Sequence, residues 1–421
     1  MQFTQEHEEL RRTVRNFVDK ELNPHVREWE DAGRFPIHEV FKKMGDLGLL
    51  GVTKPEEFGG MGLDYSYGMV MSEEMGRVHC GGVPLAVGVQ TDMATPAIAR
   101  FGSDELRRDY LAPAIAGDMV ASIAVSEPHA GSDVAAVKTT AVKDGDDYVI
   151  NGTKMWITNS PSADFFCLLA NTSDAKPHVN KSLIVVPKDA AGITVDKPLN
   201  KLGMRSSETA QVFFDNVRVP QRNLIGQEGM GFMMQMMQFQ EERLFAAANS
   251  LKGMEHVIDE TIAYAKDRKV FGMSLIDNQS VHFRLAELQT EVEALRALTY
   301  QALLDQLVET NTKITTLNTR FTELETKYTT SNQQHKNLTH LSTTEKTLHE
   351  LRPSICSKMQ NKQPDIRSVT TSKTTMGTSQ IFKEDKIIDL ATITKIKTRN
   401  EKTARPAVNT QTQKSPGLSH T

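Results

Sequence analysis

Two adjacent carboxylates, Glu241 and Glu242, lie in the run MQFQEERLFAAANS beside an apolar, Met-rich face. A carboxylate kept dry by such a face rises in pKa and can serve as a general base. The ordinary alternative is a solvated carboxylate on a helix surface. In IAVSEPHAGSDVAAVKT (123–139) a short strand runs into a Gly-Ser turn, where Ser126 and Ser132 supply hydroxyls. Backbone N–H groups exposed at such a turn can serve an oxygen-rich ring edge or a phosphate. In YVINGTKMWITNS (148–160), Trp156 and Thr158 stand two apart on a strand and so face one side. One offers a flat apolar surface and the other a hydroxyl, a pair that could hold a flat aromatic cofactor. Taken singly, a tryptophan in a sheet is ordinarily a core residue.

The elements that position these groups follow from the hydrophobic periods. Leu10, Val14, Phe17 and Val18 recur at helical spacing after Thr4, a candidate cap, and Pro24 ends the run. Helical spacing continues to about 117, interrupted by the glycine-rich loop KPEEFGGMGLDY (54–65). From 118 to 230 about seven short strands are predicted, including FFCLLA, SLIVV and AQVFF. Asp144-Gly145 and Asn151-Gly152 read as turns of consecutive hairpins. Such a set suggests a small barrel or sandwich. Helical patterning returns over 231–302. The fold class is therefore α+β and multidomain: an N-terminal helical domain (1–117), a middle β domain (118–230) and the start of a C-terminal helical domain (231–302).

Residues 303–421 form a divergent segment. They carry 25 Thr against 15 in the first 302 residues, and 18 Lys+Arg against 11 Asp+Glu, whereas residues 1–302 carry 31 against 42. Leu303, Leu307, Ile314, Leu317, Phe321, Leu324 and Tyr328 keep a heptad-like spacing, which predicts a helix to about 330. After 352 the chain is polar and basic, and disorder is the expectation. The basic residues are scattered and have few aromatic neighbours, so nucleic acid is not an expected partner. No run of 18 apolar residues occurs, so no membrane span is predicted. No targeting peptide is visible, and the expected compartment is the cytoplasm, or the mitochondrion in a eukaryote. Cys80, Cys167 and Cys356 are far apart and predict neither a disulfide framework nor a metal site.

Taken together, these segments resemble the acyl-CoA dehydrogenase family. Ser126-Glu127-Pro128-His129-Ala130-Gly131-Ser132-Asp133 matches the family's (T/S)EP-x-AGSD, and Lys154-Met155-Trp156-Ile157-Thr158-Asn159 its K-x-(W/F)-I-(T/S)-N. LGMRSSETAQVFFDNVRVPQRNLIG (202–226) and AKDRKVFGMSLIDNQSVHFRLAEL (265–288) match two further blocks in order. The resemblance covers residues 1–302 and agrees with the family's helical–β–helical domains.

What the resemblance implies can be placed residue by residue. The cofactor is FAD: the main chain near Ile123 and Val125, with Ser126, would meet the flavin ring edge, Gly131 and Ser132 would serve the cofactor, and Trp156 and Thr158 would contact the isoalloxazine. Arg268, Phe271 and Gln279 match positions that reach the FAD of a neighbouring subunit, so a homo-oligomer is implied. Glu242, in a Glu-Arg-Leu context used by long-chain and isovaleryl types, would take the α-proton of an acyl-CoA. Ser132, Phe239, Gln240 and Arg243 would line the substrate, and Met233, Met234, Met236 and Met237 either shape its acyl end or pack the core. The thioester oxygen would be held by a backbone N–H and a ribityl hydroxyl of the FAD. The product would be a trans-2-enoyl-CoA, with electrons passed to an electron-transfer flavoprotein. The wording also resembles citronellyl-CoA dehydrogenases, which points to a medium-to-long or branched acyl chain.

The resemblance breaks in the last third. The family's Q-x-x-G-G-x-G block holds the FAD pyrophosphate, and close backbone approach to phosphate needs glycine. No glycine occurs between Gly272 and Gly377. Met376–Glu384 echoes a later family segment, with Met376 where many relatives keep their glutamate. The competing expectation is a catalytically inactive relative that binds CoA thioesters or associates with active subunits.

Overall fold

The computed structural model describes residues 3–335. The predicted order of helical, β and helical parts is the observed one. Helices α1 (Gln5–Phe17), α2 (Val26–Ala32), α3 (Ile37–Asp46), α4 (Tyr65–Met75), α5 (Gly82–Gly88), α6 (Pro96–Phe101), α7 (Asp104–Leu106) and α8 (Ala112–Ala116) precede the sheet. Thr4 caps α1 in a reciprocal pair with His7, each side chain bonded to the other's backbone N–H. Val14, Phe17, Leu22, Phe41, Met44 and Val83 share one apolar core, so the 3.6-residue spacing read in α1 marks its buried face. A π-helical turn, Val89–Ala94, joins α5 to α6 and packs on the later helix α9 (Gly231–Asp267).

The middle part is one eight-stranded sheet: β1 (Ala121–Ala124), β2 (Thr140–Asp144), β3 (Asp147–Thr158), β4 (Phe165–Asn171), β5 (Lys181–Pro187), β6 (Ile193–Val195), β7 (Thr209–Pro220) and β8 (Leu224–Ile225). Its order is β6-β7-β3-β2-β4-β5-β8, and β1 pairs in parallel with β4. β4 and β5 are buried along nearly their whole length because both faces are covered. Phe165, Cys167 and Leu169 pack toward the helices, while Phe166, Leu168 and Ala170 join the opposite core with Ile150, Val212 and Val217. Asp144 and Asp147 close the predicted β2–β3 hairpin. Asn151-Gly152 is not a turn. It lies inside the 12-residue β3, at a register shift against β7, with Gly152 at φ 153° pressed against Thr139. An Asn-Gly pair tolerates a bulge as readily as a turn, and only the partner strand decides between them.

α9 and α10 (Gln279–His335) are the long helices of the C-terminal part. α10 runs straight through residue 303, where the composition changes, and Leu303 is fully buried against Met69, Ala248 and Tyr300. The remainder of the divergent segment, including the expected disorder after 352 and Met376–Glu384, lies outside the described residues. Among the described residues no helix is long and apolar enough to cross a membrane.

A buried charge cluster ties the N-terminal helices to α9 and α10. Glu73 of α4, 1% exposed, meets Arg11 at 3.2 Å, Lys252 at 3.7 Å, and Arg296 and the Tyr300 hydroxyl. Burial opposes its charge, but Tyr300, Arg11, Arg296 and Lys252 outweigh it and hold Glu73 below the usual carboxylate range. Because three cations remain when one hydroxyl is removed, Tyr300→Phe should cost only about 1–2 kcal/mol. The urea midpoint at constant m-value measures it; no loss would mean that Tyr300 does not stabilise the cluster.

Candidate active site

The two adjacent glutamates of α9 point about 100° apart. Glu241 is 7% exposed and pairs with Arg100 of α6. Glu242 points instead into a cleft of about 610 Å³ lined by Met93, Gly131, Ser132, His178, Phe232, Met236, Phe239, Arg243 and others. That size falls within the range of small-molecule sites, about 300–1,000 Å³. The cleft walls come from α9, the loop after β1 and the π-helical turn, so all three parts of the fold contribute.

The neighbours of Glu242 are mostly neutral donors. Gln235 and Gln238 reach its Oε1 from two turns and one turn earlier, at 3.4 and 3.5 Å. Burial chiefly, then the negative charges of Asp92 and Glu241, push its carboxyl up to about 8, against the lowering pull of Arg243 and Gln235. A carboxyl so raised is poised for general-base work near neutral pH. Arg243 donates to Phe239 O at 3.0 Å and lies over the Phe239 ring, which presents both side chains to the cleft.

A second surface is built where β1 meets β3. Ser122 Oγ donates to Thr158 O at 2.6 Å, Met155 N to Ser126 O at 2.9 Å, and Lys154 Nζ to Val125 O at 2.9 Å. These bonds brace the ends of two strands together. Lys154, wholly buried, also meets Glu127 Oε1 and Leu169 O at 2.9 and 2.8 Å. Burial lowers its ammonium to about 8, still charged at pH 7. Trp156 stands beside this brace at φ 60°, within a register shift of β3, and is 54% exposed. A left-handed, exposed tryptophan in a sheet is costly unless something covers it. Ile157 between Trp156 and Thr158 is buried, so the two flanking residues share the outer side as their spacing predicts. Ile123 is partly exposed, Val125 is buried, and the Gly131–Ser132 loop is exposed.

The structure does not bring every predicted residue together. Gln240 is exposed and outside the cleft lining, since successive residues on a helix point about 100° apart. Met236 lines the cleft and Met234 packs in the core, while Met233 and Met237 are exposed. Arg268 at the end of α9, Phe271 in the hairpin after it and Gln279 at the start of α10 are exposed. With 1.5 Å rise per residue, Arg268 lies on the order of 40 Å along α9 from Glu242. Met93, His178 and Phe232 line the cleft without having stood out in the sequence. Each comes from a segment whose proximity to α9 only the fold creates.

Comparison with known proteins bears on the chain and its fold. The family models for the N-terminal, middle and C-terminal domains of acyl-CoA dehydrogenase match residues 4–118, 122–217 and 229–332. A probable acyl-CoA dehydrogenase of Bacillus subtilis is 36% identical over 303 residues, 72% of this chain and 79% of that protein. The short-chain specific mitochondrial acyl-CoA dehydrogenase of Rattus norvegicus is 37% identical, over 70% of this chain and 71% of its own length. The crystal structure of an acyl-CoA dehydrogenase from Geobacillus kaustophilus superposes with a TM-score of 0.69 at 38% identity, covering 72% of this chain and 80% of that one.

Proposed function

The chain belongs to the acyl-CoA dehydrogenase family, a family of FAD-dependent oxidoreductases that act on the CH–CH groups of acyl-CoA, and from that premise we infer that Glu242 is its catalytic base. The observation that carries this reading is a carboxyl raised by burial, facing an apolar cleft, beside a neighbouring glutamate that Arg100 already neutralises.

Glu242 takes the α-proton of a bound acyl-CoA onto its carboxylate as the α,β double bond forms. Phe232, Met236 and Phe239 give the acyl chain an apolar wall and keep water from the base. Arg243 and Ser132 stand at the cleft's polar side, placed to orient the thioester and pantetheine end. A medium-to-long or branched acyl chain is the substrate we propose, on the Glu-Arg-Leu context of the base.

The braced surface of β1 and β3 fits FAD. Trp156 offers an exposed ring for a flat partner, Thr158 a hydroxyl beside it, and Ile123, Val125 and Ser126 a strand end for the flavin edge; Gly131 and Ser132 lead from there to the cleft. The chemistry FAD supplies when bound is acceptance of the β-hydrogen as hydride. Reoxidation by an electron-transfer flavoprotein completes the cycle. Arg268, on the order of 40 Å along α9 from Glu242, and the exposed Phe271 and Gln279 would serve the cofactor of a second copy in a homo-oligomer.

The test is flavin retention by the full-length protein and by Trp156→Ala. Losing one ring face, about 1.4 kcal/mol, should weaken FAD binding about tenfold. Half-exposed Trp156 should contribute little to stability. An apparent Kd unchanged in the variant, or no FAD bound by the unsubstituted protein on reconstitution, would overturn the cofactor assignment and favour the inactive relative.

A further inference from the structure

A second acid acts on Glu242 from outside the cleft lining. Asp92 sits in the π-helical turn Val89–Ala94 and is 8% exposed. Its carboxylate accepts from Thr91 Oγ1 at 2.7 Å and from the Tyr65 hydroxyl at 3.3 Å. The same Tyr65 hydroxyl lies 3.0 Å from the main-chain carbonyl of Glu241, the residue before the base. The next residue along the turn, Met93, lines the cleft, and its carbonyl accepts from Gln238 Nε2. Gln238 is one of the two amides that reach Glu242. One hydrogen-bonded link thus runs from the turn through Gln238 to the side chain of the base, and the Tyr65 hydroxyl stands between Asp92 and the main chain just before the base. Such π-helical turns, with one residue more than an α-turn, recur at functional sites.

We propose that Asp92 is a positioning residue for the base, a fixed buried negative charge that sets the place and the protonation of Glu242 in the cleft. The proposal rests on the reading of Glu242 as the base. Its physical content is a pair of carboxylates that cannot both ionise easily, with environments that push them apart. Asp92 has the donors, Thr91 and Tyr65, and the positive charge of Lys54 acts on it. Burial first, then Glu241, raise its carboxyl against the pull of Lys54, Thr91 and Tyr65. The hydroxyl contact at 2.7 Å, where Glu242 has only amides at 3.4 and 3.5 Å, makes Asp92 the acid to ionise first in this proposal. Glu242 has two long amide contacts and the exposed Arg243. Glu241 and Arg100 complete the charged groups around it, and they neutralise one another. Glu242 therefore loses its proton last, beside a charge already present, and its carboxylate is the stronger base for that reason.

The test is a pH titration of isotope-labelled side-chain carboxyls, followed by NMR in the full-length protein. In the unsubstituted chain Asp92 should titrate below Glu242, whose midpoint should lie near 8. Asp92→Asn should lower the Glu242 midpoint by about one pH unit or more, the size of a like-charge effect at close range. The acid limb of kcat/KM should move down by the same amount, with kcat at high pH falling several-fold and KM little changed. An Asp92 that stays protonated while Glu242 titrates overturns the proposal without any variant having to fold. So does an Asp92→Asn protein whose Glu242 midpoint has not moved. The titration needs no turnover. A midpoint that moves in a protein that oxidises no acyl-CoA supports the coupling and sinks the dehydrogenase reading, and turnover with an unmoved midpoint does the reverse.

Discussion

Glu242→Gln should keep the fold and lower turnover of acyl-CoA by about 10²–10⁴-fold, the contribution of a positioned general base. The upper end is expected because the other nearby carboxylates are engaged elsewhere: Glu241 with Arg100, and Asp92 with Thr91 and Tyr65. The change should fall on kcat and leave KM nearly intact, since glutamine keeps the side chain's shape and its contact with Gln235 and Gln238. Steady-state kinetics of both variants separates the candidates. Glu241→Gln removes the partner of Arg100 and should lower stability while retaining most turnover. Loss of activity in Glu241→Gln with retention in Glu242→Gln would reverse the assignment.

Lys154→Met should destabilise the protein by about 3–5 kcal/mol, because it strands a buried carboxylate without its cation. Glu127 is 2% exposed and would keep the Lys138 and Thr139 amides, the Thr139 hydroxyl and the His129 ring at 3.5 Å, but no lysine. The carbonyls of Val125 and Leu169 would lose a donor as well. Against a usual total of about 5–15 kcal/mol, that is a third or more of the stability. The loss also reaches the surface proposed for FAD, since Lys154 holds Val125, just past the end of β1 and next to Ser126. Denaturant unfolding of Lys154→Met, and of Lys154→Met with Glu127→Gln, measures it. The double variant should be less destabilised than the single one, because the unpaired charge is gone. A single variant within about 1 kcal/mol of the parent, as for an exposed pair, would contradict the account.

The parts of this structure legible in the sequence are those that depend on short-range period. The apolar spacing of α1, the Thr4 cap, the two-residue turn after Asp144 and the continuous burial of β4 and β5 all follow from local pattern. Asn151-Gly152 misled because a turn and a bulge ask for the same residues, and the register against β7 chose the bulge. Trp156 read singly as core, yet a second register shift, between Lys154 and Ile157, leaves it exposed. The two glutamates illustrate the limit for the site. Helical geometry places Glu241 and Glu242 about 100° apart, but which one is neutralised depends on Arg100, some 140 residues earlier. Asp92 was illegible for the same reason. An acid in the apolar run GVQTDMATPA looks like a helix-face residue until the fold lays its turn against α9. The helix past residue 303 was readable from its heptad spacing, because backbone period survives a change of composition that removes the family's glycines.

The most direct test of the central claim is one half-reaction. An acyl-CoA is added without oxygen to the FAD-loaded full-length protein and to FAD-loaded Glu242→Gln, and the visible flavin absorbance is followed. The account predicts that the band bleaches in the unsubstituted protein and persists in the variant, with FAD content equal in both. A variant that bleaches as fast as its parent, or a loaded parent that bleaches with no acyl-CoA of any chain type, would contradict it.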